Sequence, residues 1–126
     1  MKKLMFLGVA LVLMSMTKGD GVITKENGVY IINTTTLAKN VRGYRGTTPL
    51  KIYIKKNKIE KVEALKNRET PEYFDEVVAA MFPKWKGMTV KKALSSEVDA
   101  VTGATLSSNA VRENVKRGLE YYQKNK

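Results

Sequence analysis

Leu50, Ile52 and Ile54 alternate with Lys51, Tyr53 and Lys55, and this two-residue period limits the fold more than any other feature of the chain. Successive side chains of a strand leave on opposite faces, so the run has one buried side and one wetted side. A turn near Lys56-Asn57-Lys58 and a less regular strand from Ile59 to Leu65 supply an antiparallel partner. A sheet with one solvated face follows, and its other face must be covered. Upstream, Val22 to Asn33 reads as two short β segments about Asn27-Gly28, a strong local hairpin signal. Thr34 to Asn40 shows no clear period and is read as a connection. Arg42-Gly43-Tyr44-Arg45-Gly46, just before Thr47-Thr48-Pro49, gives an extended or bent entry into the alternating strand.

Two helices supply the cover. In Glu69-Thr70-Pro71-Glu72, Thr70 suits an N-cap, Pro71 the first helical position, and Glu72 the positive end of the dipole. Tyr73, Phe74, Val77, Val78, Met81 and Phe82 then share one face, and Pro83 is expected to stop the helix. On pattern alone this stripe is core packing rather than a cofactor box. Trp85 to Met88 is a short connection, with Trp85 read either as an aromatic for a planar ligand or as a core-edge anchor. Val90 to Leu94 gives a turn or two of helix. A final helix from about Ser107 to Gln123 turns Ala110, Val111, Val115, Leu119 and Tyr122 inward and Arg112, Lys116, Arg117 and Lys124 outward. The expected architecture is α+β: a single small domain, its antiparallel sheet packed against two main helices.

A chain of 126 residues fits one domain with a modest core. Lys2 and Lys3 precede an apolar run from Leu4 to Met14 and a more polar exit, the pattern of a secretory signal peptide. The run is short for a membrane span. Residues 1–19 are therefore expected to be a signal peptide, with an uncleaved anchor as the alternative, and residues 20–126 the folded domain. That domain is expected outside the cytoplasm, in the periplasm or on the outer face of the cytoplasmic membrane. The absence of Cys excludes lipobox acylation, disulfides, thiolate metal sites and cysteine nucleophiles. The absence of His removes the usual general base and zinc ligand, so hydrolytic or metal-dependent chemistry is disfavoured. The net charge is +11, falling to about +8 without residues 1–19. Its lysines are scattered along strand faces with no recognition helix, so solvated faces are expected and nucleic acid is not.

Chemistry concentrates in Asp99-Ala100-Val101-Thr102-Gly103-Ala104-Thr105-Leu106-Ser107-Ser108, a loop running into the last helix. Gly103 and Ala104 allow close approach to the backbone, and Gly103 can take positive φ. Thr105, Ser107 or Ser108 could cap the helix, whose unpaired N–H groups and dipole also favour an anion such as phosphate. Spacing alone leaves two readings, an ordinary helix cap or a phosphate site.

The string Asp99-x-x-Thr102-Gly103-Ala104-Thr105 resembles the flavinylation motif of the FMN-binding domain family. That family includes the C subunit of sodium-translocating NADH:quinone reductase and the G subunit of Rnf complexes. Val41-Arg42-Gly43-Tyr44, Leu50 to Ile54, Lys58 to Val62 and Glu69-Thr70-Pro71 follow the order of the family's other elements, and the resemblance spans roughly Val41 to Tyr122. It implies FMN as cofactor, joined through its phosphate to the Thr105 hydroxyl by a separate flavin transferase. The transferase would supply the base and magnesium. It further implies a cofactor site built from Asp99, Thr102, Gly103, Ala104, Leu106 and Ser107, with Glu69 and Thr70 on a loop near the flavin. Asp99 either presents the loop or stabilises it by an Asx turn, and Tyr44 either lines a flavin face or packs as an amphipathic aromatic. The implied function is an exported electron carrier, not a self-contained catalyst, exchanging electrons with redox partner proteins, for which a membrane-bound partner is one option. The alternatives are a module that holds FMN or another ligand reversibly, and a basic surface that docks on an anionic polymer or membrane. The chain differs from the multisubunit homologues in being short, with a signal-like segment where they carry a membrane anchor.

Overall fold

The computed structural model describes residues 21–126, so the signal-like segment lies outside the described residues. Four strands, β1 (Ile23–Glu26), β2 (Val29–Asn33), β3 (Leu50–Lys55) and β4 (Lys58–Ala64), form an antiparallel meander in the order β1-β2-β3-β4. Three helices follow, α1 (Pro71–Trp85), α2 (Val90–Ser95) and α3 (Thr105–Asn125). The architecture is the α+β domain that the alternating strand and the two amphipathic helices imply.

The register explains the alternation. Ile32 pairs with Ile52, which pairs with Val62, and this row is buried beneath the helices. The next row, Ile31, Tyr53 and Lys61, lies on the other face, where the ammonium of Lys61 sits over the Tyr53 ring. Both two-residue turns take the left-handed conformation at their central positions, Asn27 and Gly28 in the first, Lys56 and Asn57 in the second. That geometry matches the twist of paired strands and sets the β1-β2 register and the first β3-β4 pairs, after which a shift between Tyr53 and Ile54 brings Ile52 opposite Val62.

Helix α1 lies against β4 and α3 against β2 and β3. Phe74, Val77, Met81, Phe82 and Trp85 meet Val111, Val115, Leu119 and Tyr122 in one core with Leu50, Ile52 and Ile54. Gly118 brings α3 unusually near the sheet, since a Cβ there would lie 2.6 Å from Cδ1 of Ile52 and 3.1 Å from Cγ2 of Thr34. Beside it, Asn114 is fully buried and joins α3 to the sheet. It accepts from the Thr34 hydroxyl and donates to the Thr48 hydroxyl and the Ala110 carbonyl. The apolar stripe of α3 gave no hint of this polar insertion.

Several local expectations change. Pro83 lies inside α1, which continues to Trp85; a proline lacks only its own N–H and clashes backwards, so the final turn closes without it, Lys86 N–H donating to the Pro83 carbonyl. Thr70 is the N-cap residue of α1 but makes no side-chain cap bond. Tyr73, expected on the core face, is 52% exposed and lines a cavity, while the adjacent Phe74 is buried. Trp85 is buried at the end of α1, which is the core-edge reading. Helix α3 starts two residues earlier and ends two later than its apolar spacing implied. Among the described residues no helix is long and apolar enough to cross a membrane.

Candidate functional site

The loop that precedes α3 turns into the helix through Gly103, whose φ of +88° is strained for any residue with a Cβ. Ala104 occupies the N-cap position and, being alanine, offers no capping oxygen. The expected hydroxyl cap is therefore absent. Thr105, Ser107 and Ser108 all lie inside the helix, one residue or more too late to cap its first N–H groups. Ser108 instead reaches back and accepts from the Val101 N–H at 3.0 Å, bracing the loop. Ser107 donates its hydroxyl to the Glu69 carboxylate. The N–H groups of Thr105, Leu106 and Ser107 thus open the helix without a capping side chain, at its positive end.

Glu69 ties the site together. Its residue is only 6% exposed, and its two oxygens accept the N–H groups of Tyr44 (3.0 Å), Arg45 (2.7 Å) and Gly46 (2.9 Å) besides the Ser107 hydroxyl. Gly43 admits this arrangement, since a Cβ there would lie 2.7 Å from Oε1 of Glu69. Burial alone would push the carboxyl up, but the Ser107 hydroxyl and the three N–H groups outweigh it and hold Glu69 below its ordinary value. One ionised carboxylate therefore joins the Tyr44 loop, the start of α1 and the start of α3.

Those three segments surround an open cavity of about 410 Å³. Tyr44 and Tyr73, 66% and 52% exposed, supply aromatic walls, and Leu106 at 58% adds an apolar one. Thr70, Gly103, Ala104, Thr105 and Ser107 complete the lining. Of the residues singled out in the sequence, Thr70, Gly103, Ala104, Thr105, Leu106 and Ser107 thus meet at one cavity. Glu69 stands behind its wall. Asp99 and Thr102 are exposed on the loop and outside the lining, and Arg112 donates to the Val98 carbonyl at 2.9 Å to hold that loop down. Tyr73 joins the site unforeseen, since its helical spacing matched that of true core residues.

The cavity has the parts a planar anionic ligand needs: two exposed rings, an apolar edge, and a helix start bearing unsatisfied N–H donors. A small α+β domain with such a cavity is a cofactor-holding module. The chain matches the FMN-binding domain family over residues 43–120, more than half its length, and it belongs to that family. No curated protein matches it. FMN is the cofactor that membership assigns, and the residues present fit it. The rings and Leu106 suit the isoalloxazine system, and the open N–H groups of α3 suit its phosphate.

Proposed function

We propose that this protein is an exported electron carrier whose FMN is esterified through its phosphate to the side-chain oxygen of Thr105. The observation that carries the reading is the difference among the hydroxyls at the start of α3. Ser107 and Ser108 spend theirs on Glu69 and Val101, whereas the Thr105 hydroxyl lines the cavity and has no hydrogen-bond partner among the described residues.

In this reading the uncapped N–H groups of α3 hold the phosphate. Gly103 lets it approach the backbone closely. Tyr44, Tyr73 and Leu106 flank the ring, and Thr70 offers a hydroxyl at the cavity wall. Attachment forms a bond from Thr105 Oγ1 to phosphorus and breaks the bond from that phosphorus to the donor's leaving group, which departs with the electron pair. The hydroxyl proton goes to a base; an unactivated hydroxyl is a poor nucleophile and the chain has no His, and the family resemblance assigns that base and the magnesium to a separate flavin transferase. Once bound, FMN supplies one- and two-electron redox chemistry. The tether fixes the flavin's effective concentration, so a shallow, open site suffices and the ring edge stays accessible to partners.

The test is intact mass after co-expression with a flavin transferase. The chain gains the mass of FMN less one water, Thr105→Ser keeps the adduct, and Thr105→Ala loses it while remaining folded. A chain that never gains this mass, or that gains it equally as Thr105→Ala, overturns the covalent reading.

A further inference from the structure

A second cavity, of about 400 Å³, is lined by Arg42, Arg45, Lys66 and Arg68 with the uncharged Gly46, Thr47 and Asn67. The same two chain segments contribute different residues to the two cavities. Tyr44 faces the flavin cavity while Arg42 and Arg45 face the other, and Thr70 faces the first while Arg68 faces the second. Four cations lining one concavity repel each other, and no carboxylate lines it with them. The ion pairs among the described residues, Arg112 with Glu97 and Arg117 with Glu113, lie elsewhere. Glu69 is the nearest acid in sequence, and its oxygens are taken by Tyr44, Arg45, Gly46 and Ser107. Arg42 braces the loop by donating to the Arg45 carbonyl at 3.2 Å. The side chains of Arg45, Lys66 and Arg68 are exposed and make no hydrogen bond or ion pair within the described residues.

The opposite end of the β3-β4 ladder provides an internal comparison. There Lys55, Lys56, Lys58, Lys61 and Lys86 line a shallower surface around the hairpin tip, together with Glu60. That end carries lysines, is remote from the flavin cavity and includes its own acid. The end beside the flavin carries mainly arginines in a concave setting. Guanidinium forks bind carboxylates bidentately, and a concavity admits side chains where a flat bilayer surface would not reach.

We infer that the Arg42, Arg45, Lys66 and Arg68 cavity is the docking site for an acidic segment of the redox partner protein, seating its Asp or Glu carboxylates one loop away from the flavin. The inference rests on the electron-carrier reading for the partner's role, and deepens it by giving the partner's chemistry. Placement matters because electrons cross only short gaps, and a carboxylate seated here holds the partner against the Tyr44 loop itself.

The experiment titrates the full chain with hexaglutamate, inorganic phosphate and phosphatidylglycerol vesicles. It compares Arg45→Gln/Lys66→Gln/Arg68→Gln with the charge-matched Lys55→Gln/Lys56→Gln/Lys58→Gln, and reads folding by thermal melting and flavin by absorbance. Hexaglutamate binding is expected to weaken about tenfold in the first variant, less than about twofold in the second, and to fall with added salt in the parent. Equal losses in the two variants would show general charge attraction and overturn the assignment. So would losses confined to phosphate or to vesicles. Should the triple variant not fold, Arg68→Glu alone is scored the same way. A chain without flavin that still shows the expected pattern removes the carrier reading and leaves the carboxylate site, while a flavinylated chain without the pattern does the reverse.

Discussion

Glu69 shows how a single residue can set a site it does not line. Four donors converge on its carboxylate, so the ionised form is required, and a neutral amide would turn an NH2 group towards at least one N–H. Glu69→Gln is expected to lower stability by about 1–3 kcal/mol, measured by denaturant titration at neutral pH. The pH dependence follows from the sign of the shift. The folded carboxyl is held below its ordinary value of 4.5, so its contribution is present above that pH and is lost as pH falls through the depressed folded value. Between neutral and acid pH the wild-type melting temperature should therefore fall towards that of Glu69→Gln below about pH 4.5. A gap between the two proteins that stays constant through that range would show that the carboxylate does not act through its charge. In the sequence, Glu69 is legible only through the resemblance of Glu69-Thr70-Pro71 to a family element. Its partners, Tyr44 to Gly46 and Ser107, lie more than twenty residues away on either side, and no local pattern announces a long-range carboxylate bridge.

At the level of elements, what was legible followed periodicity and turn chemistry. The alternation from Leu50 and the Asn27-Gly28 turn marked the strands, because a two-residue period and positive φ are local properties, whereas the register shift between Tyr53 and Ile54 was not marked. Boundaries and polar insertions were not legible in the same way. Ser107 and Ser108 had capping chemistry but the wrong position, and the cap fell to Ala104 because the positive φ of Gly103 fixes where the helix begins. Tyr73 and Phe74 are adjacent in the first turn of α1, yet only Phe74 turns into the core while Tyr73 stays exposed. Helix α3 begins at Thr105, so its seat on the sheet places the site. Gly118→Ala tests that seat. Alanine favours the helix by about 1 kcal/mol, whereas forcing a methyl against the fully buried Ile52 and against Thr34 costs about 1–3 kcal/mol. Packing is expected to win because both neighbours sit in a filled core, giving a net loss of up to about 2 kcal/mol in chemical denaturation. A stabilised Gly118→Ala protein would mean that α3 rides higher on the sheet than its contacts imply.

For the whole molecule, charge is the property least visible along the chain. Arg42 and Arg45 come from one segment and Lys66 and Arg68 from another, and only the meander brings them to the same end, opposite the lysines of the hairpin tip. The cofactor acts at this scale too, because the flavin cavity is assembled from the Tyr44 loop, α1 and α3, which separate when the domain unfolds. A tethered group that occupies the cavity in the folded state alone must stabilise the whole domain by mass action. With an effective concentration a hundred times the intrinsic dissociation constant, the gain is about 2.7 kcal/mol. For a domain of this size that corresponds to a rise in melting temperature of roughly 10 °C. The flavinylated chain should therefore melt well above the same chain without flavin. Replacing both Tyr44 and Tyr73 by Ala should remove most of the difference while the adduct remains on Thr105. The two tyrosines are exposed, so their loss costs the unmodified domain little, and the comparison isolates their contact with the ring. Equal melting with and without the adduct would place the ring in solvent, leaving Thr105 as an attachment point with no binding site around it.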